Sequence, residues 1–473
     1  MMNLSNPCPP AETPKVWHAG SLIYTRAGLT VLFALLIWGD LSISIKDRLM
    51  VPTVQYLLKH YGASDFLIGI LAGGCSAAAY GLFLGPTIGR ISDRTRTRLG
   101  RRIPFLIISV PFIVLSILGL AYAPELAHAI LLLTGGSPQS ENDLTLKLFS
   151  GFMVISELFS TMALMAFMAL VNDVLPRTLL GRFFGSFRVL SLLLGIVLNS
   201  LVFCRIETSS RWIFISVACL FGLGFLSSAL TIKEGTYPPV EESKDLPHRP
   251  LTTSLLDLFP KCLLEPYYLC LALALAFEVA AINGSSTFMI PFATSMHVSM
   301  TTVGECLNAM FAVSLLMAYP LGIGVDRFHP LRICLVIVSL LSLVTLAECI
   351  WVHDGTTFCI GLVLQGILSG CWFTASPSLT QRLLPSETYG EHFASVMLVG
   401  AVFGLLFAPA LGLVLDHFNH NYLITFVVAA TLHVLALCLF LVVYIMNRSL
   451  TAKQEMRPEL QEQVLGGGTG GTV

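Results

Sequence analysis

Long apolar segments alternate with short polar segments along almost the whole chain. A helix that crosses a membrane needs about 20 mostly apolar residues. A segment that spans the membrane must be a helix or a strand of a closed barrel, because lipid offers no hydrogen-bond partner to an open backbone. Twelve segments meet this requirement, and we predict that each is a membrane-spanning helix. They are residues 28–55, 66–89, 103–123, 148–172, 183–204, 211–231, 266–292, 301–324, 331–352, 356–379, 393–415 and 421–446.

Polar stretches divide the twelve predicted helices into two sets of six. We predict an N-terminal tail over residues 1–26, a six-helix bundle over 27–231 and a linker over 232–264 that ends in a short interfacial helix. A second six-helix bundle covers 265–446, and the Gly-rich tail 447–473 is predicted to be disordered. The predicted fold class is an all-α integral membrane protein, with two pseudo-symmetric bundles around a central cavity.

Composition supports a membrane protein rather than a set of soluble domains. Charged residues make up 12% of the chain, against about 25% in a typical soluble domain. Residues 1–25 contain no apolar core, so we expect the first apolar segment to act as the membrane-entry signal. The twelve cysteines form no C-x-x-C pair, and we expect them to be small buried side chains.

The distribution of basic residues predicts the orientation. Loops on the cytoplasmic side of a membrane carry an excess of lysine and arginine. With a cytoplasmic N-terminus, 20 of the 27 basic residues fall on the cytoplasmic side. We therefore predict that both termini are cytoplasmic and that the protein lies in the cell inner (plasma) membrane.

The two sets of helices contain similar motifs in the same order, which indicates an internal repeat. In each half one motif lies in the first helix, and the other two follow the second and fourth helices. The matched pairs are Leu49-Met-Val-Pro52 with Phe288-Met-Ile-Pro291, Gly89-x-x-x-Asp93-Arg94 with Gly322-x-x-x-Asp326-Arg327, and Leu175-Pro176 with Leu384-Pro385. We infer that the halves are homologous six-helix bundles.

The loop between the second and third helices, residues 89–102, contains six arginines. Its Asp93-Arg94 and Gly100-Arg101-Arg102 resemble the G-x-x-x-D-R-x-G-R-R signature of the major facilitator superfamily, with five residues rather than one between Arg94 and Gly100. This longer form is similar to glycoside–pentoside–hexuronide cation symporters and sucrose-type carriers. Trp38-Gly39-Asp40 is similar to a Gly-Asp motif of the symporters.

This resemblance implies a secondary transporter that works by alternating access, with a sugar or glycoside as the favoured solute. It also implies that the arginine-rich loop latches the two bundles in the outward-facing state. The residues assigned to this gating loop and its copy in the second half are Gly89, Asp93, Arg94, Gly100, Arg101, Arg102, Asp326 and Arg327. Sodium-coupled relatives carry acidic ligands in the second helix, whereas residues 66–89 contain none, so a coupling proton is preferred to sodium.

Charged residues inside the predicted helices are candidates for binding solute or protons, because such residues are costly in a membrane. Asp40 and Asp47 share one face of the first helix and Arg48 lies at its edge, so these three were predicted to approach the cavity or its mouth. Glu278 lies one position from the repeat equivalent of Asp40. The structural alternative is an internal ion pair, or charges that reach toward the membrane surface.

Four further residues in the predicted helices are candidates for contact with the solute. Glu157 and Gln365 occupy nearly equivalent positions in the two halves, while Asn283 could donate hydrogen bonds and Trp372 could stack on a sugar face. Burial in the protein core or contact with lipid is the structural alternative for the tryptophan.

The sequence contains no recognised catalytic or nucleotide-binding motif, so we expect neither an enzyme nor a bound cofactor. We expect a monomer in the lipid bilayer whose partner is a small-molecule substrate. The arginines of the loop lie between apolar spans, so we expect no nucleic-acid binding. Two alternatives stay open: efflux of amphiphilic or drug-like molecules, and a membrane assembly or delivery factor that does not transport.

Overall fold

The computed structural model describes residues 17–19, 21–135, 140–176, 179–235, 264–385 and 389–466. These residues are almost entirely helical. A two-stranded antiparallel hairpin, β1 (Trp17–Ala19) and β2 (Leu22–Tyr24), lies within the predicted N-terminal tail. The nine cysteines whose state the structure describes are free.

The described residues of the first half form eight helices, with a short 3-10 turn (Phe203–Arg205) before the last. They are α1 (Arg26–His60), α2 (Asp65–Ala72), α3 (Cys75–Arg94), α4 (Ile103–Ala121), α5 (Ala123–Thr134), α6 (Glu141–Val174), α7 (Leu180–Val202) and α8 (Ile206–Thr231).

Seven helices are found within residues 264–385 and 389–466 of the second half. They are α9 (Pro266–Thr287), α10 (Met289–Ser295), α11 (Met300–Phe328), α12 (Pro330–Trp351), α13 (Gly355–Leu383), α14 (Tyr389–His417) and α15 (Leu423–Gly466).

Ten segments of the described chain are long and apolar enough to cross a membrane. Two predicted spans account for the difference from twelve. The predicted span 66–89 is divided at Gly73 and Gly74, where Gly74 has φ +74° and separates α2 from α3. The predicted spans 183–204 and 211–231 join into one stretch, Val189–Thr231, because the 3-10 turn connects α7 directly to α8.

Some predicted boundaries differ from those of the structure. The helix α6 begins at Glu141, within a stretch predicted to be a polar loop, because Glu141 and Asp143 in its first turn favour a helix start. The backbone of α15 is helical to Gly466, although residues 447–473 were predicted to be disordered. Its extension contains three glutamines and three glutamates, which are good helix formers. The predicted linker helix lies outside the described residues.

The helix packing has the same pattern in both halves, as two homologous bundles require. In the first half α1 packs on α7 and α8, and α4 packs on α6 and α8. In the second half α9 packs on α14 and α15, and α12 packs on α13 and α15. Between the halves, α2 and α3 pack on α14, and α7 packs on α11. This is the predicted fold class, with two helical bundles side by side.

The bundles have two opposite ends, which we call the arginine face and the far face. The arginine face carries residues 89–102 and the ends of α6 and α8. The far face carries the turn between α1 and α2, together with the turn between α14 and α15. At the far face Asp416 of the second half accepts hydrogen bonds from the backbone N–H groups of Asp65 and Phe66 in the first half, at 2.8 and 2.9 Å. The halves are therefore joined directly at the far face.

Candidate functional site: a cavity between the two halves

A cavity of about 360 Å³ lies between the halves, and we call it the central cavity. Its walls come from α1 and α7 on one side and from α9, α10, α11 and α13 on the other. Its polar lining includes Arg48, Gln55, Ser285, Gln365 and Ser369. A ligand pocket of a few hundred Å³ with a small number of polar groups is typical of small-molecule binding.

Gln365, a candidate from the sequence, lines this cavity. Its side chain is 6% exposed, and its Nε2 donates a hydrogen bond to Ser285 Oγ at 3.1 Å. Sequence reasoning missed Ser285, although it lies on the same helix as Glu278 and Asn283. The pair joins α13 to α9 and presents amide and hydroxyl groups to the cavity, which can bind a hydroxyl or carbonyl group.

Arg48 also lines the central cavity, where contacts with two other helices fix its position. Its Nη2 donates to Ser191 Oγ of α7 at 3.0 Å, and its Cζ lies 4.8 Å from the ring centroid of Phe311 of α11. A Cβ at Gly195 would come within 2.5 Å of Arg48 Nη1. A glycine is therefore required at position 195 for the guanidinium group to fit in this place.

Lys46 and Asp47 of α1 line a separate side pocket of about 330 Å³. Lys46 is 3% exposed, and its Nζ lies 3.0 Å from Asp47 and 3.7 Å from Glu157 of α6. The same Nζ donates to Ser160 Oγ at 2.9 Å. The candidates Asp47 and Glu157 therefore meet here through Lys46, which was not among the candidates from the sequence.

Asp40 is buried within the first half. It is 3% exposed and does not line the cavities described in this section. The adjacent Gly39 lies against Phe167 of α6 and Ser228 of α8. Among the described residues, Asp40 Oδ2 has no hydrogen-bond partner. A carboxylate oxygen in this position is costly unless it is protonated or hydrated.

Glu278 occupies the corresponding position in the second half and is completely buried between α9 and α15. Its Oε2 lies 3.0 Å from His433 Nδ1. Within the described part of the chain, Glu278 Oε1 and His433 Nε2 have no hydrogen-bond partner. Sequence reasoning missed His433, which is recognisable as the histidine inside the last apolar segment. The pair does not line the central cavity.

Asn283 and Trp372 line a second, larger cavity of about 590 Å³. Its walls come from α3, α9, α13 and α14, and most of its lining is apolar. Trp372 has no exposed surface and packs on Phe440 of α15 at 5.6 Å between ring centroids. Its ring is therefore packed in the core and also borders this cavity.

The arginine-rich loop is tied to other parts of its own half. Arg101 donates to both carboxylate oxygens of Asp173, at 3.1 and 2.7 Å, and Arg102 Nε donates to the same carboxylate at 3.3 Å. The Glu234 carboxylate, at the end of the first half, accepts from the backbone N–H groups of Arg101, Arg102 and Ile103, each at 2.8 Å. Glu234 therefore caps the N-terminus of α4.

Gly100 makes this cap possible. Its φ is +118°, a conformation that other residues rarely adopt, and an added Cβ would lie 2.5 to 2.8 Å from the Glu234 carboxylate.

The structure describes the positions of three further gating-loop residues. Gly89 lies within α3, while Arg94 and Arg327 are exposed at helix ends. The side chains of Asp93 and Asp326 lie outside the described residues, so their role as a latch stays a prediction.

The fold and the cavity together define a polytopic helical membrane protein of the transporter class. The model of the Major Facilitator Superfamily matches residues 29–390 and 271–467. The chain belongs to this family. Members of the family are transporters rather than enzymes, which is the class that the sequence predicted. A search of curated proteins found no match by sequence.

Solved structures share the fold at low sequence identity. The xylose transporter from E. coli in its inward-open conformation aligns with a TM-score of 0.62 and 13% identity, over 87% of this chain and 95% of that chain. A D-xylose-proton symporter gives a TM-score of 0.58 at 14% identity, with 87% and 95% coverage. A nucleoside transporter gives 0.60 at 14% identity, with 87% and 99% coverage.

Proposed function

We propose that this protein carries a small polar solute through the central cavity by alternating access and couples the movement to protons. The observation that carries the proposal is that both halves line a cavity of about 360 Å³ whose polar groups include Arg48, Gln365 and Ser285. A solute bound there contacts both bundles, so it can bias their relative position.

A contact at the far face supports an arrangement in which the central cavity is closed toward the outside. At the far face, Asp416 joins α14 to the start of α2 across the halves. The far face is the outer face if the arginine face is cytoplasmic, as its positive charge predicts. We also propose that the arginine-rich loop latches the bundles in the opposite, outward-facing state.

A sugar or glycoside is the favoured solute. The loop motif that resembles glycoside–pentoside–hexuronide symporters supports this choice, as do the xylose transporters among the structural neighbours. The apolar lining of the larger cavity favours a second candidate, export of an amphiphilic molecule that enters beside Asn283.

Buried carboxylates support proton coupling. Asp40 and Glu278 each have one oxygen without a hydrogen-bond partner among the described residues, and Glu157 lies beside Lys46 in the side pocket. A carboxylate buried in this way exchanges a proton more readily than it holds an uncompensated charge. When the carboxylate changes its access from one face of the protein to the other, it would bind a proton at the first face and release it at the second.

The test is solute accumulation in proteoliposomes under an imposed pH gradient, with Asp40→Asn and Glu278→Gln variants. We expect at least one variant to lose accumulation while it retains exchange of solute without a gradient, because exchange needs no net proton movement. The matched control is Asp143→Asn, which removes an exposed charge from α6. Accumulation equal to that of the unmodified protein in both variants would exclude these two residues from coupling.

A further inference from the structure

The far face contains a cluster of ionisable side chains that joins the two halves. Asp65, at the start of α2, has no exposed surface. Its Oδ2 lies 2.6 Å from His420 Nδ1, and its Oδ1 accepts a hydrogen bond from the hydroxyl group of Tyr422 at 2.9 Å. Asp65 belongs to the first half, whereas His420 and Tyr422 belong to the second. The carboxylate of Asp65 is therefore bound across the boundary between the halves.

Other contacts of this cluster stay within one half. Lys59 Nζ of α1 lies 3.4 Å from Asp65 Oδ1, in the first half. Asp416 lies in the same half as His420, and its Oδ1 is 3.7 Å from His420 Nδ1. The ionisable side chains that the structure describes in the cluster with His420 are those of Lys59, Asp65, Asp416 and Tyr422. Of the contacts of His420 with these groups, opening of the far face must break the one with Asp65.

The turn between α14 and α15 holds His420 in an uncommon backbone conformation. Asn419 and His420 have φ values of +54° and +60°, a region that residues other than glycine seldom adopt. The N–H group of His420 donates to the carbonyl group of Leu415 at 2.9 Å, which ties the turn to the end of α14. Such conformations are costly and persist where surrounding contacts determine them. The turn therefore directs the imidazole of His420 to Asp65.

His420 can exchange protons with the solution at the far face. Its side chain is 48% exposed, whereas Asp65 beside it is buried. Histidine is the side chain whose charge ordinarily changes between pH 5 and pH 8. In both charge states Nδ1 can carry the hydrogen that is donated to Asp65. Protonation therefore keeps the hydrogen bond and adds a positive charge beside a buried carboxylate of the other half.

We infer that His420 is a proton-binding switch that favours the closed far face when it is protonated. The closed state places the imidazole 2.6 Å from the Asp65 carboxylate, and the open state separates the two groups. Closed protein therefore binds the proton more tightly than open protein does. By linkage, a falling pH increases the population of closed protein.

The role of this switch in transport rests on the proposed function, although the switch itself does not. If the far face is the outer face, a proton from outside would favour closure of the outer gate. Such a closure follows the loading of solute and proton from outside in proton symport. His420 would then act at the surface, in addition to the buried carboxylates Asp40 and Glu278.

The test measures the distance between the halves at the far face as a function of pH, in purified protein without solute. Spin labels at the exposed positions Thr208 and His353 report the distance after replacement of the native cysteines. A charge-assisted hydrogen bond is about twice as strong as a neutral one. We expect the ratio of closed to open protein to be about fivefold higher at pH 5 than at pH 8. Equal distance distributions at the two pH values would overturn the inference.

Two matched variants assign the pH response to one histidine. His420→Asn keeps an amide donor near the position of Nδ1 and is tolerated at positive φ, but its side chain cannot acquire a charge. We expect this variant to lose more than half of the pH response. The control is His417→Asn, which removes a nearby histidine that packs on Phe418 and should keep the full response. Retention of half or more of the response in His420→Asn would assign the proton to another group and overturn the inference.

Measurements of folding and of solute exchange complete the test. The thermal unfolding temperature shows whether each variant is folded, and the pH response of the parent protein tests the inference without a substitution at His420. A pH response that depends on His420 in a protein that exchanges no solute in liposomes would support the switch and contradict transport. Solute accumulation by a protein whose far face does not respond to pH would overturn the switch and leave transport standing.

Discussion

Removal of the Asp416 carboxylate should open the far face of the protein. In the structure this carboxylate caps the N-terminus of α2 from the other half, with hydrogen bonds of 2.8 and 2.9 Å to Asp65 and Phe66. Ser64 caps the same helix from within its own half by accepting from Leu67 N–H at 3.3 Å. The variant Asp416→Ala should therefore leave α2 folded and weaken the contact between the halves.

The magnitude follows from the type of hydrogen bond. Loss of an N-cap costs about 1 kcal/mol, and hydrogen bonds to a charged group contribute about 1.5–3 kcal/mol each. Ser64 remains as a cap, and water can replace part of the interaction. We therefore expect the closed far face to lose about 1–3 kcal/mol of free energy relative to the open state. A change of 1.4 kcal/mol alters an equilibrium about tenfold. The closed far face should thus lose between about fivefold and 150-fold in population relative to the open state.

The assay is a distance distribution between spin labels on the two halves at the far face. Thr208 and His353 are exposed positions for the labels, introduced after replacement of the native cysteines. We expect Asp416→Ala to increase the population at the longer distance. The control is Asp143→Ala, which removes an acidic residue that pairs with Lys147 inside α6. A distribution for Asp416→Ala that superimposes on that of the parent protein would refute the reasoning.

Two further predictions concern the arginine face. The Gly100→Ala variant should lower the unfolding temperature, because its Cβ would displace the Glu234 carboxylate that caps α4. We expect the free energy of unfolding to fall by about 1–3 kcal/mol. An unchanged thermal unfolding curve would contradict the assignment of Glu234 as the cap. His329 accepts from Leu331 N–H through Nδ1, and burial, followed by Arg382 and Arg332, lowers the pKa of His329 below its ordinary value of 6.5. The folded state favours neutral His329. The stabilisation of the folded protein by this histidine is therefore complete above pH 6.5 and is lost as the pH falls through the folded pKa. Unfolding temperatures measured from pH 8 to pH 5 should fall less in His329→Asn than in the parent protein, and parallel curves would exclude a contribution of His329.

The sequence predicted the fold well because the membrane imposes a simple pattern on it. Length and hydropathy located the spans, and repeated motifs such as Asp93-Arg94 and Asp326-Arg327 predicted two similar halves. The pattern could not show that Gly74 divides the second span, because adjacent glycines are also tolerated inside membrane helices. The hairpin near Trp17 was missed because its strands are only three residues long.

The candidate site was predicted less completely, since helical spacing gives the face of a residue but not its partner. Gln365 and Arg48 do line the central cavity. Glu278 instead faces His433, which is 155 residues away in the sequence, and Glu157 faces Lys46. These partners are set by the packing of α9 on α15 and of α1 on α6. A single sequence carries no direct signal for such pairings.

The contact between the halves at the far face has an energetic consequence for alternating access. Asp416 joins the halves there, so opening that face must break its hydrogen bonds. These hydrogen bonds therefore stabilise the state with a closed far face relative to the open state. A solute that binds Arg48 and Gln365 contacts both halves, and it can shift the balance only if it binds the two states with different affinities.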